Sequence, residues 1–184
     1  LKSLDELITS IKTRIAMEMT TPEVLDLSDE AIAIMAVDSI PTIMSKLSFT
    51  DLEGLVSPNT PLTMVGESAD LPQDYFILKN AATISGKISI FYPDFSNYQG
   101  FCGQSDLMTI DEHTPISSIA NNKIYFKPVQ TDISITYFKK HPPLSPQQGT
   151  LLSAVGDKML EDLIVSKYFA SVQDANRAGL EMAQ

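Results

Sequence analysis

The sequence is poor in the residues that many enzymes and cross-linked scaffolds depend on. It has one cysteine, Cys102, and two histidines, His113 and His141. One thiol cannot close an internal disulfide, which excludes a disulfide-stapled secreted scaffold. Two histidines with no H-x-x-x-H spacing and no cysteine beside them are too few ligands for a zinc site. Long apolar runs are also missing. The longest, AIAIMAV at residues 31–37, falls well short of the roughly 20 residues that span a bilayer. Positive charge is scarce: 13 Lys and Arg stand against 23 Asp and Glu, for a net charge of −10. Acids outnumber bases in residues 1–50, 51–140 and 141–184 alike. Tight phosphate binding works through Lys and Arg that displace counterions, so the chain is badly suited to gripping nucleic acid. It could still surround nucleic acid without holding it. No G-x-S-x-G, Walker loop or G-x-G-x-x-G is found.

What is present reads as an ordinary globular chain, 43% apolar and 20% charged, long enough for one domain or one domain with an insert. The opening LKSLDELITSIK looks like an amphipathic helix rather than a signal peptide, so a soluble product made in the cytosol is expected. Ser3 followed by Glu6 predicts a capping box. Leu4, Leu7, Ile8, Ile11 and Ile15 then recur at helical spacing. Ser28 predicts a second helix start, with Asp29 and Glu30 where the helix dipole favours acids. Ile32, Met35, Ile43 and Leu47 continue its stripe, and Pro41 predicts a kink or two abutting helices.

From about Thr50 prolines and glycines punctuate short strand-like pieces: LTMV, YFILKNA, GKISIFY, NKIYFKP and DISITYFKK. Ile88, Ile90 and Tyr92 share one face of the third, with Ser89 and Phe91 on the other. Ile133, Ile135 and Tyr137 share one face of the last. Asn121-Asn122 suits a tight hairpin because Asn tolerates positive φ. The pattern predicts an antiparallel meander rather than strand–helix units. Beyond Pro142, Pro143 and Pro146, a stripe of Leu151, Leu152, Val155, Met159, Leu163, Ile164 and Tyr168 predicts a long helix, followed by a short one from Asp174 to Ala183. The fold class is therefore α+β: residues 1–49 and 141–184 form a helical body, and residues 50–140 a β-rich insert.

Candidates for chemistry are few. Asp111-Glu112-His113 reads as a solvated loop, and Glu161-Asp162 as a solvated helix face. Cys102 has no base to make it a nucleophile, and the serine of FCGQSD lacks the strand–turn–helix context of an elbow. No catalytic, cofactor-binding or metal-binding residue is assigned, and the expectation is a non-enzyme. FYPDFSNYQGF places Phe91, Tyr92, Phe95, Tyr98 and Phe101 within eleven residues. It predicts either a loop covering the sheet or a subunit contact, since such aromatics are favoured at interfaces.

The succession of parts resembles the head-to-tail connector (adaptor) proteins of tailed bacteriophages, especially the short-tailed ones. LDELITSIKTRI matches their opening helix, LSDEAIAIMAVDSI the second helix, and ADLPQDYFIL an extended leucine–proline–x–aspartate segment. NKIYFKP and ISITYFKKHPPLS match a late strand pair, LLSAVGDKMLEDLIVSKYFAS the long helix, and DANRAGLEMA the close. The resemblance runs in order from Leu4 to Ala183; the Tyr/Gly loop at 92–103 and the scarcity of helical Arg depart from it. It implies a virion protein, synthesised in the host cytoplasm, that forms a ring at the portal vertex, twelve-fold in relatives. Such a ring binds the portal protein, extends the channel through which DNA passes without sequence-specific binding, and offers a platform to a tail or nozzle protein. The helical stripes are expected to pack between copies. The interface residues expected are Asp174, Arg177, Leu180 and Met182 toward the portal, which the resemblance suggests, and Phe91, Tyr92, Phe95, Tyr98 and Phe101, which the aromatic run itself suggests. Two other readings remain: another phage neck or tail-completion protein, or a small cell-wall glycan hydrolase with paired acids.

Overall fold

Ser3 opens the first helix by reciprocal capping. Its hydroxyl accepts the Glu6 N–H at 3.1 Å, while the Glu6 carboxylate accepts the Ser3 N–H at 2.8 Å, so two open backbone donors are closed together. The computed structural model describes residues 2–19, 27–103, 110–144 and 149–182, with side chains in the last stretch described as far as Gln173. Helix α1 (Leu4–Glu18) buries Leu4, Leu7, Ile8, Ile11 and Ile15. Helix α2 (Asp29–Met44) starts on Ser28, whose hydroxyl accepts the Ala31 N–H. Pro41 lies inside α2 without dividing it. The carbonyl that loses its helical donor there belongs to Val37, on an exposed face where solvent can replace the missing bond.

Helix α4 (Ala154–Met182) is one element, not a long helix and a short one. No proline follows Pro146, so nothing breaks the run. Leu151 and Leu152 precede the helix rather than joining its stripe. The Ser153 hydroxyl accepts the Gly156 N–H and donates to Asp51 at 2.9 Å. The buried face of α4 is Asp157, Leu160, Glu161, Ile164, Val165 and Tyr168, whereas Val155 stands exposed. The three helices pack on one another within a compact unit made of Leu1–Leu55 and His141–Gln184.

Val56–Lys140 forms a second compact unit. Its strands are β1 (Val56–Thr63), β2 (Ser68–Asp70), β3 (Tyr75–Thr83), β4 (Ile90–Tyr92), β5 (Ile116–Ala120), β6 (Lys123–Lys127) and β7 (Asp132–Lys139), with helix α3 (Phe95–Gly103) between β4 and β5. They make two sheets, of order β1-β7-β3 and β2-β6-β5-β4. Asn121 and Asn122 turn the β5–β6 hairpin, both at positive φ, as their short polar side chains allow. The remainder is not a meander. β6 and β7 belong to different sheets, and β4 runs parallel to β5. Parallel neighbours need a crossover, and α3 lies on it. The two sheets share a core of Leu78, Ala81, Ile124, Phe126, Ile133, Ile135 and Tyr137 among others. Val56 pairs with Phe138, so the unit begins and ends on neighbouring strands, as an insert into another unit must.

Candidate functional site

Within the helical unit, a cleft of about 870 Å³ is lined by Lys2, Glu6, Arg14, Asp157, Lys158 and Glu161, with Ala154 beside them. Asp157 and Glu161 are one turn apart on the inner face of α4, and each is more than nine-tenths buried. Both acids are engaged by the chain's own donors. The Thr150 hydroxyl donates to Asp157, while Lys2 pairs with Glu161 and Arg14 lies 3.9 Å from it. Arg14 also pairs with Asp162. Burial raises the Asp157 pKa above the ordinary carboxylate value, against the opposing Thr150 hydrogen bond. Glu161 is thus not the solvated surface acid that Glu161-Asp162 suggested. The reading failed because the sequence pattern does not say which residues lie across from an acid.

The same cluster explains the final approach to α4. Gly149 runs against the N-terminal segment so closely that an added Cβ would sit 2.0 Å from the Lys2 carbonyl oxygen. The Thr150 N–H donates to that oxygen at 2.9 Å. His141 fixes the other side of the loop. Its Nε2 accepts the Leu151 N–H at 2.9 Å and its Nδ1 lies 2.6 Å from the Pro142 oxygen, which requires the neutral ring protonated at Nδ1. Burial accordingly lowers the His141 pKa. This arrangement anchors the chain ahead of α1 to the chain ahead of α4.

The suggested aromatic set separates into two kinds. FSNYQGF is helix α3, not a loop. The Asp94 carboxylate accepts the Ser96 N–H at 2.9 Å, and Phe95, Tyr98 and Phe101 then follow at helical spacing. That cap and spacing were the available signal. Phe95 and Tyr98 pack on Tyr125 of β6, with ring centroids 4.5 and 6.4 Å away, and Tyr92 packs on Phe101 at 4.9 Å. These four cover the four-stranded sheet. Tyr98 is buried and its hydroxyl meets no hydrogen-bond partner among the described residues; burial, with a contribution from Cys102 one turn on, pushes its pKa far up. Phe91 alone of the set is exposed. The side chains of Asp174, Arg177, Leu180 and Met182 lie outside the described residues.

Asp111 closes a turn, accepting the backbone N–H groups of His113 and Thr114 at 2.8 and 3.0 Å, and these bonds hold its pKa below the ordinary range. Among the described residues, no three His, Cys, Asp or Glu side chains are placed to hold a metal, and no helix is long and apolar enough to cross a membrane. Compared with known proteins, the chain matches no protein-family model and no curated sequence.

Proposed function

We propose that the chain is a structural component of a tailed-phage virion: a head-to-tail adaptor that forms a ring beneath the portal, extends the DNA channel and receives the tail. The observation that carries this reading is the pairing of a helical unit, built from both ends of the chain, with a separate β unit inserted between them. That order of parts matches the succession of segments resembling the adaptor family. A two-unit chain suits a connector, because one surface can serve assembly with like copies while another meets a different partner. The helical stripes do not pack between copies as the sequence suggested: those of α1, α2 and α4 are largely buried within their own unit, so contact between copies falls to the apolar residues left outside. A net charge of −10 supports a passage that repels DNA and lets it slide. The cleft acids are held by Lys2, Arg14 and Thr150, and this favours a structural use of them over paired-acid hydrolysis.

Electron microscopy of virions with labelled copies of the chain tests the reading. Label arranged as a ring at one capsid vertex supports it; label absent from that vertex overturns it. Mapping the charge of the assembled ring tests the channel, which a basic lumen would contradict.

A further inference from the structure

The residues after β3 break the inside–outside rule. The chain turns at Ile84 to Lys87, with the Thr83 N–H donating to the Lys87 oxygen at 2.9 Å and Gly86 at φ +86. Ile88 then bridges to Ala82 before β4 begins. In this stretch the polar Ser89 points inward: it is buried, donates to the Ala81 oxygen at 3.0 Å and meets the Ser117 hydroxyl at 2.7 Å. The apolar chains are turned out. Ile84, Ile88, Ile90 and Phe91 are 70%, 59%, 47% and 42% exposed. Four large apolar side chains within eight residues exceed the scattered singles of an ordinary surface. They gain nothing within the chain from facing outward. Local rules are broken in this way where a surface has another use. Lys87 is the sole charge from Ile84 to Pro93.

A second surface complements this one. On α2, Ile34 and Val37 are 56% and 48% exposed, and Pro41 continues their line one turn on. Glu30 and Asp38 flank them, both exposed and neither within 4 Å of a cation among the described residues. An apolar ridge with a single cation thus has, on the other unit of the same chain, an apolar stripe edged by two acids with no ion-pair partner among the described residues.

We propose that the Ile84–Phe91 ridge of one copy docks on the α2 face of the next, Lys87 meeting Glu30 and Asp38. The occupant is a second copy because the charge pattern fits: Lys87, the one charge between Ile84 and Pro93, meets a stripe flanked by Glu30 and Asp38. Two different patches make a head-to-tail contact, which repeats from copy to copy and closes into a ring where its rotation allows, or runs on as a filament where it does not. The contact deepens the adaptor reading and rests on it only for that closure.

Two variants at exposed positions test it, Ile34→Glu for the helix face and Ile88→Glu for the ridge. Native mass spectrometry and light scattering of the full chain read the assembly, and circular dichroism confirms the fold. Each variant alone weakens self-association at least about tenfold. Mixed together they form a one-to-one dimer and nothing larger, since one copy keeps an intact ridge and the other an intact helix face. Lys87→Glu, which leaves the apolar chains in place, also weakens assembly, and adding Asp38→Lys restores part of it. Single variants that assemble like the parent, or a mixture that stays monomeric, overturn the contact and leave the ring reading standing. Assembly through this contact with no label at the capsid vertex overturns the adaptor reading and leaves the contact. A parent chain that is monomeric overturns the contact and leaves the adaptor reading to the label at the capsid vertex.

Discussion

Asp157 and Asp51 are two aspartates of one helical unit pulled in opposite directions. Burial raises the Asp157 pKa above its ordinary value of 3.8, so the folded chain holds that proton more tightly than the unfolded chain does. Stability from this group therefore falls as pH rises from 3.8 through the raised value. Asp51 is held below the same ordinary value, first by the Ser48 hydroxyl and then by Ser153. Its contribution is present above 3.8 and is lost as pH falls through the lowered value. Denaturant midpoints at pH 3 and pH 7 check the signs. Asp157→Asn should gain on the parent as pH rises, because Asn still accepts from Thr150 without carrying charge. Asp51→Asn should lose stability at pH 7 and approach the parent in acid. Either trend reversed would contradict the assignment. None of this was visible in the sequence. An acid at a helical position looks the same whether it faces water or a neighbouring helix.

Among the elements, the segment before α4 is held by close approach as much as by hydrogen bonding. Gly149 lies against Lys2 and Ser3, where an added methyl would meet three backbone atoms within 3 Å. Gly149→Ala must displace the backbone at Lys2 and Ser3, break the Thr150-to-Lys2 hydrogen bond and loosen the Thr150 hydroxyl from Asp157. An overpacked site of this kind costs about 1–3 kcal/mol or more, measurable by chemical unfolding; an unchanged midpoint would show that the segment yields freely. Local chemistry did predict several elements. The capping box of α1, the Ser28 start of α2 and the Asn121-Asn122 hairpin each need only a few adjacent residues, and each stands where its residues placed it. Helix α3 did not follow its weak local preference. FSNYQGFCG carries two glycines, and its helix depends on aromatic packing against Tyr125, a partner about thirty positions away.

At the level of the whole molecule, the β unit has its own core and has ends that pair with each other, Val56 opposite Phe138. A segment with those properties folds as a domain in its own right. Residues 56–140 expressed alone should give a β-rich circular dichroism spectrum and a cooperative unfolding transition. A spectrum without structure would mean that the core borrows its stability from the helical unit. The surfaces that matter for assembly are read at this scale as well. The aromatic run drew attention to Phe91, but the exposed isoleucines could not be chosen from alternation alone. Alternation says that Ile88 and Ile90 share a face and Ser89 takes the other. Which face is inner is decided by the strands on either side, β3 and β5.

The sequence by itself determined the α+β class, the helix starts and the tight hairpin, because those follow from side chains acting on backbone a few residues away. The tertiary structure decided the two-sheet order, the parallel β4–β5 pair, the burial of Glu161 and the outward turn of the isoleucines. Each of these depends on which distant segments meet, and a period of two or of 3.6 residues fixes a face without naming what lies against it.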